Sequence, residues 1–213
     1  MSDLIPISDE QAKAIQEVAK TTGTGLDLVG KAGFYVGWVL GTVPSDLVGL
    51  LGGDWLSRVR IRNLSWYKER TEEVLRTRGV VETEAVSPSI AVPLLRAAAD
   101  ESRPELQALW AMLLAAALDP KKSSLVRRSF IETLSKFEPL DAAVLWGRHQ
   151  IPGDLQPTAR DFLAKRLEVP YPAIVVSLMS LQKLECISLG GPGEYTNFNI
   201  SSYGNELIRA CSN

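Results

Sequence analysis

A single histidine, His149, and two cysteines, Cys186 and Cys211, are all the imidazole and thiol chemistry that this 213-residue chain offers. A histidine works as a general base only with a substrate proton in reach and a carboxylate, serine or cysteine placed beside it. His149 instead stands in the helix-ending stretch GRHQIPGD, which reads as a solvated position. The two cysteines lack the paired spacing of a zinc site or a redox motif, so the expectation is two reduced, packed thiols. No H-E-x-x-H, phosphate-loop or G-x-S-x-G pattern occurs in the chain. Gly190-Gly191-Pro192-Gly193 reads as a turn rather than a phosphate cradle, because no helix opening with Lys-Ser/Thr follows it. The residue types therefore predict a protein without catalytic, cofactor or metal residues.

Two other groups point to association. Gly33, Gly37 and Gly41 recur every fourth residue beside Trp38, which makes a small-residue stripe that would let helices approach closely. Lys31 and Asp46 bound only 14 uncharged residues there, against the roughly 20 apolar residues that span a bilayer. An interfacial or oligomer-inserted helix pair fits better than a span, and a glycine-tolerant core helix beside a solvated basic face is the other reading. Arg58, Arg60, Arg62, Lys68 and Arg70 follow and form a candidate surface for an anionic partner, a membrane surface included. The alternation Arg58-Val59-Arg60-Ile61-Arg62 cannot all face one way on a helix, so a single basic stripe is not implied.

The elements that must hold these residues are mostly helical. A net charge of −2 with 46% apolar and 23% charged residues describes an ordinary globular protein, so any binding by charge must be local. Ser8 with Gln11 opens a first helix, and the glycine-rich apolar stretch Leu26 to Leu51 breaks at Pro44-Ser45-Asp46. A charged amphipathic helix runs from Trp55 to Thr77 and stops at Gly79. Val80 to Pro93 reads as an extended linker or the approach to the next helix, Ile90 to Ala99 as a helix, and Pro104 to Leu118 as a buried one, apolar on a broad face. A further helix is expected from Ser123 to Lys136. The acidic start MSDLIPISDEQ lacks the charge pattern of a secretory signal, so a cytoplasmic place, peripheral to the inner membrane, is expected.

The last segment changes character. Helices at Pro139 to Arg148, Thr158 to Leu167 and Tyr171 to Leu184 precede strands at Cys186 to Leu189 and Tyr195 to Ile200, and Ser202 to Cys211 closes as a helix. That order predicts a winged-helix-like domain with a short β-hairpin. The predicted architecture is thus mainly α: an N-terminal part (residues 1–79), a central helical domain (80–137) and the winged-helix-like domain (138–213). If the last were a DNA reader, Tyr171 to Leu184 would offer Ser177, Ser180, Gln182 and Lys183 on its open face. One lysine there, and Glu194 in the wing, supply little for phosphate contacts. DNA therefore ranks below protein as a partner, and a nucleic-acid-binding transcriptional regulator is the alternative function.

The block Glu105, Leu106, Gln107, Leu109, Trp110, Ala111, Leu113, Leu114 and Ala115, ending in Asp119-Pro120, is followed by Ser129, Phe130, Leu134, Pro139, Asp141 and Ala142. This pattern resembles the bacterial abortive-infection alpha (Abi-alpha) domain family. The likeness covers about residues 55 to 211, with the Arg62-Asn63 helix and the terminal ISSYGNELIRAC. The resemblance implies a part in defence against phage, with no enzymatic mechanism attached. The expectation is a homo-oligomer that also meets a companion defence protein or a phage component.

Overall fold

The computed structural model describes residues 54–151, 159–189 and 198–212, with side chains from Arg58 onward. It is mainly helical. In chain order the helices are α1 (Asp54–Thr77), α2 (Pro88–Asp100), α3 (Pro104–Leu118), α4 (Arg128–Leu134), α5 (Pro139–His149), α6 (Ala159–Arg166), α7 (Tyr171–Lys183) and α8 (Ser202–Ala210). A hairpin of β1 (Ile187–Leu189) and β2 (Phe198–Ile200) stands between α7 and α8. Gly33, Gly37, Gly41 and Trp38 lie outside the described residues, as do the first predicted helix and the turn that carries Gly190 to Glu194.

α3 is the centre. Its run PELQALWAMLLAAAL is apolar on nearly every side, and such a helix is stable only when other elements cover it. It packs against α1, α2, α5 and α8. Leu106, Trp110, Leu113 and Ala115 are at most 1% exposed, and one continuous core runs from Leu64 to Cys211. Pro104 starts the helix where its missing N–H costs nothing. Pro88 and Pro139 open α2 and α5 in the same way.

Helix stops follow backbone chemistry. Gly79 takes φ +67°, with Gly79 N donating to the Arg76 carbonyl (3.0 Å) and Val80 N to Leu75 (2.9 Å). This is the predicted glycine stop, a paired-bond cap that needs a left-handed residue. Two glutamates take the same role: Glu168 (φ 53°) closes α6 and Glu185 (φ 58°) closes α7, each flanked by the same pair of backbone bonds. A side chain in that conformation carries strain of about 1 kcal/mol.

The structure departs from the sequence expectations in three places. α2 begins at Pro88, two residues before the expected start at Ile90, and runs through Pro93. Pro93 lies inside the helix and cannot donate to the carbonyl of Ser89, an exposed residue, and burial of Leu94 and Leu95 outweighs the lost bond. The helix expected over Ser123 to Lys136 is split into a 3-10 turn (Ser123–Leu125) and α4, because Val126 and Arg127 are extended. The first hairpin strand begins one residue later than expected, at Ile187, and the described pairs are Ile187 with Ile200, Ser188 with Asn199 and Leu189 with Phe198 in antiparallel register.

α8 is seated on the hairpin. Ser201 caps it, its hydroxyl accepting from Gly204 N at 2.9 Å. A Cβ on Gly204 would lie 2.1 Å from the Cys186 carbonyl oxygen, so only glycine allows this approach. Thr133 and Tyr203 share a hydroxyl bond of 2.8 Å, and the Tyr203 ring meets Phe130 edge-on, which ties α8 to α4.

Candidate interaction surfaces

Two buried polar joints position the outer helices. The first gathers α1, α2, α3 and α5. Glu101, 8% exposed, follows α2 and accepts from the backbone N–H groups of Ser102 and Arg103 and from the Arg103 guanidinium, each at 2.9 Å. The other arm of Arg103 reaches Glu138 at 2.8 Å. From α1, Asn63 donates to the carbonyls of Ala99 and Glu101, and Gln107 of α3 donates to Glu101 as well. Burial pushes the Glu101 carboxyl up, but the bonds and charge of Arg103 and the Ser102 N–H outweigh it and hold the group below the usual glutamate range. The nearby Tyr67 hydroxyl is buried with no hydrogen-bond partner, and burial, then the Glu101 charge, drives its pKa upward.

The second joint fixes α7. Asp141, 3% exposed, accepts from Ser177 Oγ at 2.6 Å and from Ser180 Oγ at 2.9 Å. It also accepts from Glu138 N at 3.1 Å, closing a capping box at the start of α5. A carboxylate bonded three times over in the interior is a strong clasp between helices far apart in sequence. Arg148, on the same helix, donates to the Phe198 carbonyl and to Asn199 Oδ1 and so holds the hairpin to α5.

These joints leave two outer faces. On α7, Ile174, Ser177, Leu178 and Leu181 point inward, and Pro172, Val176, Met179 and Lys183 recur outward at helical spacing. Val176 is 66% exposed and Met179 44%; Tyr171 begins the helix, exposed, with the Arg160 guanidinium 4.1 Å from its ring. The expectation that Ser177 and Ser180 lie on an open, base-reading face is therefore wrong: both are turned inward onto Asp141. Gln182 and Lys183 do lie at the surface.

On α1 the expected basic residues scatter. Arg58, Arg62 and Lys68 are exposed; Arg60 turns toward α2 and pairs with Asp100; Arg70 pairs with Glu73 at 2.5 Å. The outer line of the helix is Arg58, Arg62, Ser65, Glu69, Glu73, with Ile61 and Trp66 beside it at 47% and 38% exposure. It is basic at Arg58 and Arg62, acidic at Glu69 and Glu73, and basic again at the exposed Arg76 in the last turn. Only the helical register places Glu69 and Glu73 on one line with Arg58 and Arg62, which composition alone does not reveal.

His149 is exposed at the end of α5. Both thiols are buried, and burial pushes each up to about 12. No group of three or more His, Cys, Asp or Glu that could hold a metal ion exists among the described residues. A cleft of about 190 Å³ opens between residues 84–87 and the 3-10 turn, with Ser123 Oγ donating to Glu84 inside it.

The family model described as abortive infection alpha matches residues 60–197. The chain belongs to that family. The match runs from the first turns of α1 to the threshold of β2 and so includes both joints. No curated protein and no solved structure matches the chain. Three of the residues that carry the resemblance have structural roles: Trp110 fills the centre, Gln107 serves the Glu101 joint, and Asp141 is the clasp of α7. Among the described residues no helix is long and apolar enough to cross a membrane.

Proposed function

We propose that this abortive-infection alpha chain acts in defence against phage without catalysis, by associating with itself and by binding a phage component or a companion defence protein. The observation that carries this reading is the outer face of α7. Where a DNA-reading helix would present arginine, asparagine or glutamine along its length, α7 presents Val176 and Met179, with Gln182 and Lys183 at its end. Exposed apolar residues in line on one helix suit protein contact, and the inward serines suit scaffolding. On this reading the α5–α7 helices and the hairpin form a winged-helix-like unit turned to protein binding.

A peripheral place at the inner membrane belongs to the same reading and rests on the sequence alone, on the Gly33, Gly37, Gly41 stripe with Trp38. Flotation of the full chain with anionic vesicles, with and without Gly37→Leu, tests that part; sedimentation of both forms removes it. The defence role is tested in cells expressing the chain and challenged with a phage panel. Death of infected cells before phage release, with fewer infectious centres, is the expected result. Equal phage yield with and without the chain across the panel contradicts it.

A further inference from the structure

We infer that the outer face of α1 is a self-pairing surface, on which α1 of a second copy of this chain lies antiparallel about a two-fold axis at Ser65–Trp66. The inference rests on the self-association in the reading above and names its site. In a two-fold interface each residue meets its mirror position on the partner. α1 spans Asp54–Thr77, so its midpoint falls between Ser65 and Trp66. An antiparallel copy centred there sets Arg62 opposite Glu69 and Arg58 opposite Glu73, each contact occurring twice.

Ile61 and Trp66, exposed at 47% and 38%, stand near the axis, where apolar side chains would be covered. Arg58 and Glu73 are about 22 Å apart along the helix at 1.5 Å per residue, so the opposite charges are well separated within one copy and close only between copies. Arg62 and Glu69 are two turns apart on that face. The exposed Arg70–Glu73 pair within one copy is a weak competitor, since surface pairs of this kind contribute little.

The sign pattern also selects the occupant. An anionic membrane would attract Arg58 and Arg62 but repel Glu69 and Glu73 on the same face, and a nucleic acid would do likewise. A second copy matches both halves.

The full chain is examined by analytical ultracentrifugation over a concentration series at low salt. The expected result is a dimer whose dissociation constant rises with salt and rises about tenfold or more in Arg62→Glu and in Glu69→Arg, since each reversal places like charges together twice. The double variant Arg62→Glu/Glu69→Arg restores the pairing. All four residues of the contact are exposed, so circular dichroism is expected to show each variant folded. A monomer at every concentration overturns the inference, as does an oligomer indifferent to both reversals or a double variant no better than the singles. Binding to anionic vesicles that Arg62→Glu abolishes in a monomeric chain overturns it in favour of lipid. None of these outcomes touches the α7 face, whose failure would instead appear as phage protection unaffected by its variants.

Discussion

The outer faces of α1 and α7 look alike as sequence and differ as surfaces. Both helices bury one side against the core and show the other to solvent, yet α1 presents charges of both signs and α7 presents valine and methionine. Charged faces select partners through complementarity and weaken with salt, whereas apolar faces bind through desolvation and are nearly indifferent to it. One molecule thus carries two kinds of contact, each held by its own buried polar joint.

The largest effect should follow from breaking the joint beneath α7. Asp141→Ala leaves the Ser177 and Ser180 hydroxyls and the Glu138 N–H without their acceptor, and a loss of about 3 kcal/mol is expected in urea unfolding. Because Cys186 lies next to this joint and Cys211 lies beside Arg78, just after α1, thiol labelling separates the two regions. In the wild-type protein both thiols should resist alkylation, being buried and raised to about 12. In Asp141→Ala, Cys186 should react faster by a larger factor than Cys211. Equal acceleration would mean that the two platforms open together.

The joint beside α1 should respond to acid. The Glu101 carboxyl is held below its unfolded value, so its contribution is complete above about pH 4.3 and is lost as the pH falls through the lower folded value. Stability followed from pH 6 to pH 2 should therefore decline less steeply in Glu101→Gln than in the wild type. Parallel acid limbs would show that the Glu101–Arg103 pair does not set the acid response.

Smaller effects belong to the helix ends and surfaces. Glu185→Gly should raise stability by up to about 1 kcal/mol, since glycine accepts the left-handed conformation that closes α7 without strain. Arg70→Ala should change it by less than about 1 kcal/mol, because its pair with Glu73 is exposed. Thermal melts of both variants check the order.

The central architecture was legible because α3 announces itself: Pro104 starts it, a long apolar run fills it and Asp119-Pro120 ends it. The Gly79 stop and the hairpin before the last helix were legible for similar local reasons. The joints were not, because Asp141 meets Ser177 across 36 positions and Asn63 meets Glu101 across 38. No periodicity encodes such a pairing. α7 misled for a related reason. YPAIVVSLMSLQK is apolar on both sides, so its polar serines look like the exposed face until a buried carboxylate is found beneath them. The split at Val126 and Arg127 was hidden because their types are compatible with helix, although both are extended.

The claim that α7 meets a protein partner is most directly tested by the plating efficiency of a phage against which the wild-type chain protects. Val176→Asp/Met179→Asp is compared with Glu132→Ala, an exposed change on α4. Stability should change little in either, since both alter solvent-facing positions. The account predicts that the α7 variant folds, accumulates and loses protection, with plating returning to that of cells lacking the chain, and that Glu132→Ala protects fully. Full protection by the folded Val176→Asp/Met179→Asp chain would contradict it.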